Sequence, residues 1–495
     1  MLEPEYQERT RRGERGLAAR RRAREVRRFY VLTFASLLIP GLGLIRSRRR
    51  LGIAIVTSFV VGTLGLLIYA LTKGVTRSVL EVGLSRSALA WLIPLILLSC
   101  AIWITGIVLT ARDNMPRTAK GAPRVAMVVF ASIACLLVFA PAAQSARYAV
   151  IQRGLINDVF TSVRPSGAVG PTAGNDPWAG TERVNVLLIG SDAGPDRIGI
   201  RPDSVMVASI NTQTGDTVLF GIPRNLQNIP FSPENPISKL WPNGYNCGSE
   251  CLMEYVWTLG SENANLFPKG EEPGLVVTKD AVSQILGLKV DYTTIVDLKG
   301  FRALVDAMGG VEVNVHERLC IGCKVENGQV VGTTGYIEPG RQRLDGYHAL
   351  WYARSRADSA DGDFSRMRRQ RCMVGALVNQ VDPINMLARY PALAKVLQEN
   401  VDVDIPQQDL QAWATLVLRI QDEGSIKSLP LTNKVVDVTN PDYDAIHKKI
   451  QAAIKPKAKK TPTKTSTPSP TSSTTPSQPS PTTHDDELSD IATTC

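Results

Sequence analysis

Residues 351–371, WYARSRADSADGDFSRMRRQR, place six arginines in twenty-one positions with no lysine. A guanidinium offers a planar fork of donors that fits two oxygens of a carboxylate or phosphate at once, which an ammonium cannot do. A face that needed only solvation would mix Lys and Glu with its Arg, so this stretch points to an anion site. Arg366, Arg369 and Gln370 stand at i, i+3 and i+4, the spacing that shares one face of a helix, while Arg354 and Arg356 alternate as on an extended strand and point the same way. Arg224 ends another strand in GIPRN. Asp192 follows the strand-like RVNVLLIG, and Asp203 comes eleven residues later in RPDS, just before the next strand. Two aspartates on neighbouring loop ends suit one hard cation such as Mg2+, which is often held by one or two carboxylates with phosphate oxygens completing its shell.

Other chemistries find little support. The chain has four His, and GSD at 190–192 is no nucleophile elbow of the G-x-S-x-G kind. There is no G-x-x-x-x-G-K-[ST] phosphate loop. Zinc needs four ligands of suitable spacing, and CIGC at 320–323 has no neighbouring His pair. The same CIGC follows the strand-like VEVNV without the helix that a thioredoxin-like motif requires. Cys247 with Cys251, and Cys320 with Cys323, are disulfide candidates in an oxidising exterior, whereas Cys100 and Cys135 fall inside apolar stretches and the state of Cys372 is open.

These residues need a scaffold, and the hydrophobic pattern supplies one. SVMVASI and DTVLFGI flank NTQTG as a hairpin. GLVVTKDAVSQILG and LKGFRALVDAMGG have helical period, DYTTIVDL and VEVNV read as strands, and a long helix is expected from about Asp363 to Val381. Strands alternating with helices indicate a layered α/β domain over 181–440. The Gly/Pro-rich stretch within 147–180 reads as a linker. From Lys455 the chain is Pro/Thr/Ser-rich and cannot bury a core, so 441–495 is expected to be a disordered tail.

Ahead of the domain lie uncharged stretches of 22, 25 and 22 residues, at 51–72, 87–111 and 125–146. Each is long enough to cross the hydrocarbon layer, at about 20 residues per crossing. The shorter apolar stretch 29–45 holds Pro40, Gly41 and Gly43 and reads as re-entrant, completing a membrane region at 29–146. The tail 1–28 carries ten Arg and five Glu, half of the formal net charge of +10. It shows no reading motif, so nucleic acid is not expected, and anionic membrane lipid is the natural partner. With the tail, RSRRR (46–50) and RDNMPRTAKGAPR (112–124) all cytoplasmic, everything after Arg147 is outside; were 29–45 a full span, the C-terminal part would end inside. No cleavable signal pattern follows the first apolar stretch.

VNVLLIGSDAG, RPDSVMVASINTQTGDTVLFGIPRN, LVDAMGGVEVNV and LDGYHALWYARSR with DFSRMRRQR together resemble the LytR-CpsA-Psr family of bacterial cell-wall enzymes, in order over about 183–380. The resemblance implies an extracytoplasmic LytR-CpsA-Psr-type α/β domain anchored by N-terminal transmembrane helices in the cell membrane. It implies a Mg2+-dependent phosphotransferase that moves a glycopolymer from undecaprenyl pyrophosphate onto peptidoglycan by forming a phosphodiester. It places Mg2+ on Asp192 and Asp203 and the pyrophosphate on Arg201, Arg224, Arg354, Arg356, Arg366 and Gln370, with Arg369 beside them; Asp192, Asp203, Arg354 and Arg356 form its catalytic set. The lipid tail would lie in an apolar pocket. The family's PRD reads PRN here, so Asn225 stands in place of a carboxylate. Several members have one anchor helix, which makes a multi-pass N-terminus unusual. The same clamp could instead hydrolyse a polyprenyl pyrophosphate, or serve a lipid-sensing regulator without catalysis.

Overall fold

The computed structural model describes residues 3–172, 174, 176–191, 200, 202–326, 329–357, 362–380, 383–432, 435–455, 488–491 and 495. Asp192 and Arg201 lie outside the described residues. The chain divides into two compact units, Met1–Ile156 and Asn157–Cys495.

The first unit is helical: α1 (Glu3–Leu38), a 3-10 turn Leu42–Ile45, α2 (Arg49–Lys73), α3 (Val75–Gly83), α4 (Arg86–Asn114) and α5 (Ala122–Val159). Of these, α2, α4 and α5 are long and apolar enough to cross a membrane. Large apolar side chains such as Leu66, Leu71 and Trp91 stand exposed along them, an arrangement that is stable in lipid and not in water. The stretch 29–45 ends α1 and then turns through Pro40 and Gly41. Gly43 lies so close to α1 that an added Cβ would strike the Leu32 carbonyl and the Ser36 hydroxyl. The Gly43 N–H donates to Ser36 Oγ at 2.9 Å, and Ser36 Oγ meets Thr110 Oγ1 of α4 at 3.0 Å. Polar atoms in an apolar bundle are thus partnered with each other, as hydrocarbon requires.

The second unit is built on an eight-stranded mixed sheet. In chain order its strands are β1 (Phe160–Thr161), β2 (Arg183–Ser191), β3 (Pro202–Asn211), β4 (Thr217–Ile222) and β5 (Tyr292–Asp297). The short strands β6 (Val311–Val315), β7 (Leu319–Ile321), β8 (Lys324–Glu326), β9 (Gln329–Val331), β10 (Gly335–Ile337) and β11 (Gly340–Leu344) pair among themselves, and β12 (Val401–Pro406), β13 (Ile426–Pro430) and β14 (Ser489–Asp490) return to the large sheet. Its order is β1-β12-β5-β2-β3-β4-β13-β14. Because β2 alternates its side chains, Leu187 and Ile189 face one core and Val184 and Val186 the other.

Helices cover both faces: α6 (Val256–Glu262), α7 (Pro273–Leu286), α8 (Leu298–Met308), α9 (Gly346–Arg354), α10 (Asp363–Asn379), α11 (Pro383–Asn400), α12 (Leu410–Asp422) and α13 (Tyr443–Ile454). Val277, Ala281 and Ile285 of α7 and Ile446 and Ile450 of α13 pack on Leu187, Val207 and Phe220, while Trp413 and Leu416 of α12 pack with Val186 and Ile210. The expected helix 363–381 is α10, and the NTQTG hairpin joins β3 to β4. The Gly pair of LVDAMGG ends α8: Gly309 at φ 88° caps it in the left-handed region that costs a Cβ-bearing residue energy.

Two expectations need correction, and the open state of Cys372 is resolved. Residues 147–180 are not a free linker, because Phe160–Thr161 pairs with β12 and Trp178 is fully buried against Trp413; one large anchor outweighs a Gly/Pro-rich composition. The segment 441–495 is not disordered throughout. Its first part is α13, whose Ile446 and Ile450 are core residues, and Ser489–Asp490 pairs with β13. Cys372, left open, is bridged to Cys495 across 123 residues; Cys247–Cys251 and Cys320–Cys323 form as the spacing suggested.

Candidate active site

Strand register brings the first pair together. Val205 of β3 faces Ile222 of β4, so continuing the antiparallel ladder by two residues sets Arg224 opposite Asp203. Their Nη1 and Oδ1 atoms lie 3.8 Å apart. Arg224 is also an ion-pair partner of Glu254, at 3.1 Å, and of Asp363, where Nε and Oδ1 are 3.3 Å apart.

Asp363 is the first residue of α10 and the centre of the cluster. Its Oδ1 lies 3.0 Å from Nη2 of Arg366 and 3.6 Å from Nε of Arg356. Three arginines from three separate chain segments therefore converge on one carboxylate. Ion-pair distance and hydrogen-bond geometry disagree here. Among the described residues Asp363 Oδ1 and the Nε atoms of Arg224 and Arg366 are buried and make no aligned hydrogen bond. Buried donors left unmade cost about 1–3 kcal/mol each, and an oxyanion between them would supply the missing acceptors.

Burial shows in the charges as well. Arg366 is 2% exposed, and desolvation pulls its guanidinium down to about 10, against the pull of Asp363 in the other direction. Arg356 is lowered by burial first and by the Arg224 charge second. Both remain cations at neutral pH, held in a place that a bare cation disfavours and an anion would favour.

Below this cluster runs a mostly apolar cleft with about 1000 Å³ of empty space, part of it open to solvent. Leu188, Met206 and Val296 form its sheet wall and Phe301, Leu350 and Val374 its helical wall, while Asp203, Arg354, Arg366 and Gln370 make its polar rim. The site is thus amphipathic, with an oily trough closed at one end by charge.

Asp203, Arg224, Arg356 and Arg366 come together as expected, and Arg354 and Gln370 join them at the rim. Arg354 reaches its place differently, as the last residue of α9 rather than on a strand. Arg369 is a correction. It does not share the Arg366–Gln370 side, since its Nε donates to Tyr352 O at 2.8 Å, Nη1 to Glu317 Oε1 at 2.7 Å and Nη2 to Ser355 O. Three positions along a helix turn the side chain by about 60° from its starting direction, and here that carries Arg369 into the α9–β7 side. Asp192 and Arg201, outside the described residues, keep their roles as expectations.

Among the described residues no three His, Cys, Asp or Glu come together as a metal nest. Asp203 nevertheless fits a shared Mg2+ site of the kind completed by phosphate oxygens: it lies on the rim, and its contact with Arg224 is a loose 3.8 Å. Two site residues had no signal in the sequence. Asp363 reads from its position as a helix-dipole partner at an N-terminus, and Glu254 lies between the motifs that carry the family resemblance.

A LytR_cpsA_psr family model matches residues 162–460. A polyisoprenyl-teichoic acid–peptidoglycan teichoic acid transferase TagU of Oceanobacillus iheyensis is 28% identical over 49% of this chain and 65% of its own length. The cell wall biosynthesis protein LcpA of Corynebacterium glutamicum is 30% identical over 45% of each chain. This chain therefore spans about two thirds of the first relative and less than half of the second. Among solved structures, B. subtilis TagV is 21% identical with a TM-score of 0.39, over 55% of this chain and 96% of that one.

Proposed function

Because the chain belongs to the LytR-CpsA-Psr family, we propose that it transfers a glycopolymer from a polyprenyl-pyrophosphate carrier to peptidoglycan. One observation carries the reading: a mostly apolar cleft open to solvent ends in a rim of Arg354, Arg366 and Gln370, with Arg224 and Arg356 converging beside it. A polyprenyl pyrophosphate has the same polarity, a long apolar chain with a doubly charged head. Two of the relatives carry names of cell-wall transfer or synthesis, which supports the same direction.

In the proposed step a peptidoglycan hydroxyl oxygen attacks the phosphorus next to the glycan. A P–O bond forms, the bridging P–O bond to the polyprenyl phosphate breaks, and the hydroxyl proton is released. The product is a phosphodiester, and polyprenyl phosphate leaves with the negative charge. Transfer of this kind needs positioning and charge stabilisation more than covalent help. Arg224, Arg356 and Arg366 grip the bridging and equatorial oxygens; Arg354 and Gln370 hold the head at the mouth while the cleft takes the chain. Mg2+ on Asp203, with Asp192, would add charge neutralisation at the phosphates.

The unit Asn157–Cys495 works outside the membrane in this reading, with α2, α4 and α5 as spans and the three basic segments inside. The test is transfer of radiolabelled polyprenyl-pyrophosphate glycan to peptidoglycan fragments by the full chain in detergent. Label appearing in peptidoglycan supports transfer, and label released as soluble glycan phosphate would replace transfer with hydrolysis. No turnover of either kind, from a folded chain that still binds the lipid, would favour a sensor.

A further inference from the structure

Resting on this transferase reading, we propose that Glu254 is the positioning residue for Arg224, a tether that holds the guanidinium toward the pyrophosphate without itself touching it. Arg224 lies past the end of β4, where neither ladder nor helix fixes its side chain, and a free Arg side chain gives up many rotamers when ordered. Glu254 grips it at both ends. The Glu254 N–H donates to the Arg224 carbonyl at 2.9 Å, and Arg224 Nη1 donates to Glu254 Oε2 at 3.1 Å. The two residues thus form a closed pair in which backbone and side chain are fixed together.

The anchor of that pair is unusually firm. Glu254 is 5% exposed, and its neighbours Met253 and Val256 are wholly buried in the main core. Three residues before it the Cys247–Cys251 disulfide closes the turn that leads in. Glu254 does not line the cleft, whereas Asp203 does.

Charge alone would assign Glu254 the opposite role, since a carboxylate near an anion site repels the anion. The competing pairs decide otherwise. Without Glu254, Arg224 has Asp363 at 3.3 Å and Asp203 at 3.8 Å as its remaining carboxylates. It would close on one of them and withdraw a donor from the anion and a carboxylate from the other arginines or the metal. Glu254 instead holds Nη1 in place, so that the buried Nε, which makes no aligned hydrogen bond among the described residues, stays available.

Binding of inorganic pyrophosphate to the full chain in detergent, by calorimetry, is the test, run with glycan transfer and thermal melts on the same samples. Glu254→Ala should weaken pyrophosphate binding and kcat/KM by about tenfold, the value of one charge-assisted bond. Glu254→Gln keeps the acceptor and should stay within about threefold of wild type on the same scale. Glu254→Asp, one methylene short of the 3.1 Å contact, should resemble Ala and serves if the Ala variant melts early. In an Arg224→Ala background, Glu254→Ala should add no further loss. A merely structural residue would instead lower the melt and add its loss in both backgrounds, which would overturn the tether, as would pyrophosphate binding that is unchanged or tighter in Glu254→Ala. Pyrophosphate binding with the expected variant pattern but no glycan transfer would remove the transferase reading and leave the tether. A wild type that binds no pyrophosphate would remove both.

Discussion

Arg366 and Arg369 sit one turn apart on α10, both deeply buried, and do opposite work. Among the described residues the buried Nε of Arg366 has no acceptor, and the side chain faces the converging arginines; Arg369 spends its donors on Tyr352 O, Ser355 O and Glu317. Arg366→Lys and Arg356→Lys keep the charge and lose the fork, so each should cost about ten- to a hundredfold in kcat/KM with little change in the melt. Arg369→Ala should do the reverse: it strips two buried carbonyls of their donor and lowers stability by about 2–5 kcal/mol, read by chemical denaturation. Lys tolerated at both clamp positions, with wild-type transfer, would move the site elsewhere. Asp203→Asn should remove Mg2+-dependent turnover from a chain that stays folded; equal turnover in EDTA and in Mg2+ would end the metal role. The sequence marked Arg224, Arg356 and Arg366 because residue type and spacing are local facts. Asp363 and Glu254 escaped because their meaning lies in contacts 30 or more residues away in the case of Glu254, and in three segments converging on one atom in the case of Asp363.

At the scale of elements, α10 is the joint between the two halves of the site. Its first turn gives Asp363 and Arg366, its next Gln370, and Met373, Val374 and Leu377 continue down as cleft wall. Whatever shifts α10 therefore shifts clamp and trough together. Gly375 of this helix lies so close to Ile491 that an added Cβ would meet its Cγ2, and Cys372 is bridged to Cys495. Cys372→Ser should lower unfolding stability by about 2–5 kcal/mol through the loop-closure entropy restored to the unfolded chain; an unchanged denaturation midpoint would show that the bridge contributes nothing to stability. Periodicity made the β2–β3–β4 meander and the helices α7, α8 and α10 legible, because each is long and locally patterned. It could not show β1, β14 or Trp178. Two-residue strands carry no period, and a single Trp in a Gly/Pro-rich stretch is decided by the core it meets.

At the scale of the whole molecule, the proposed function divides the labour, with the apolar helical unit as anchor and the α/β unit as the seat of the chemistry. Cysteines introduced singly at 470 and at 10 should test the proposed topology in intact cells: an impermeant maleimide should label the first and spare the second, and the reverse pattern would invert the orientation and exclude a wall polymer as substrate. The Cys372–Cys495 bridge has a further consequence, one of connectivity. Residues 372–495 form a covalent ring, so a protease that cuts after Lys459 or Lys464 opens the ring without releasing anything. The nicked protein would run as one species without reductant and as two with it, and the strand β14 would stay in its sheet. Cleavage within the Pro/Thr/Ser-rich segment would thus leave the arginine helix with its brace.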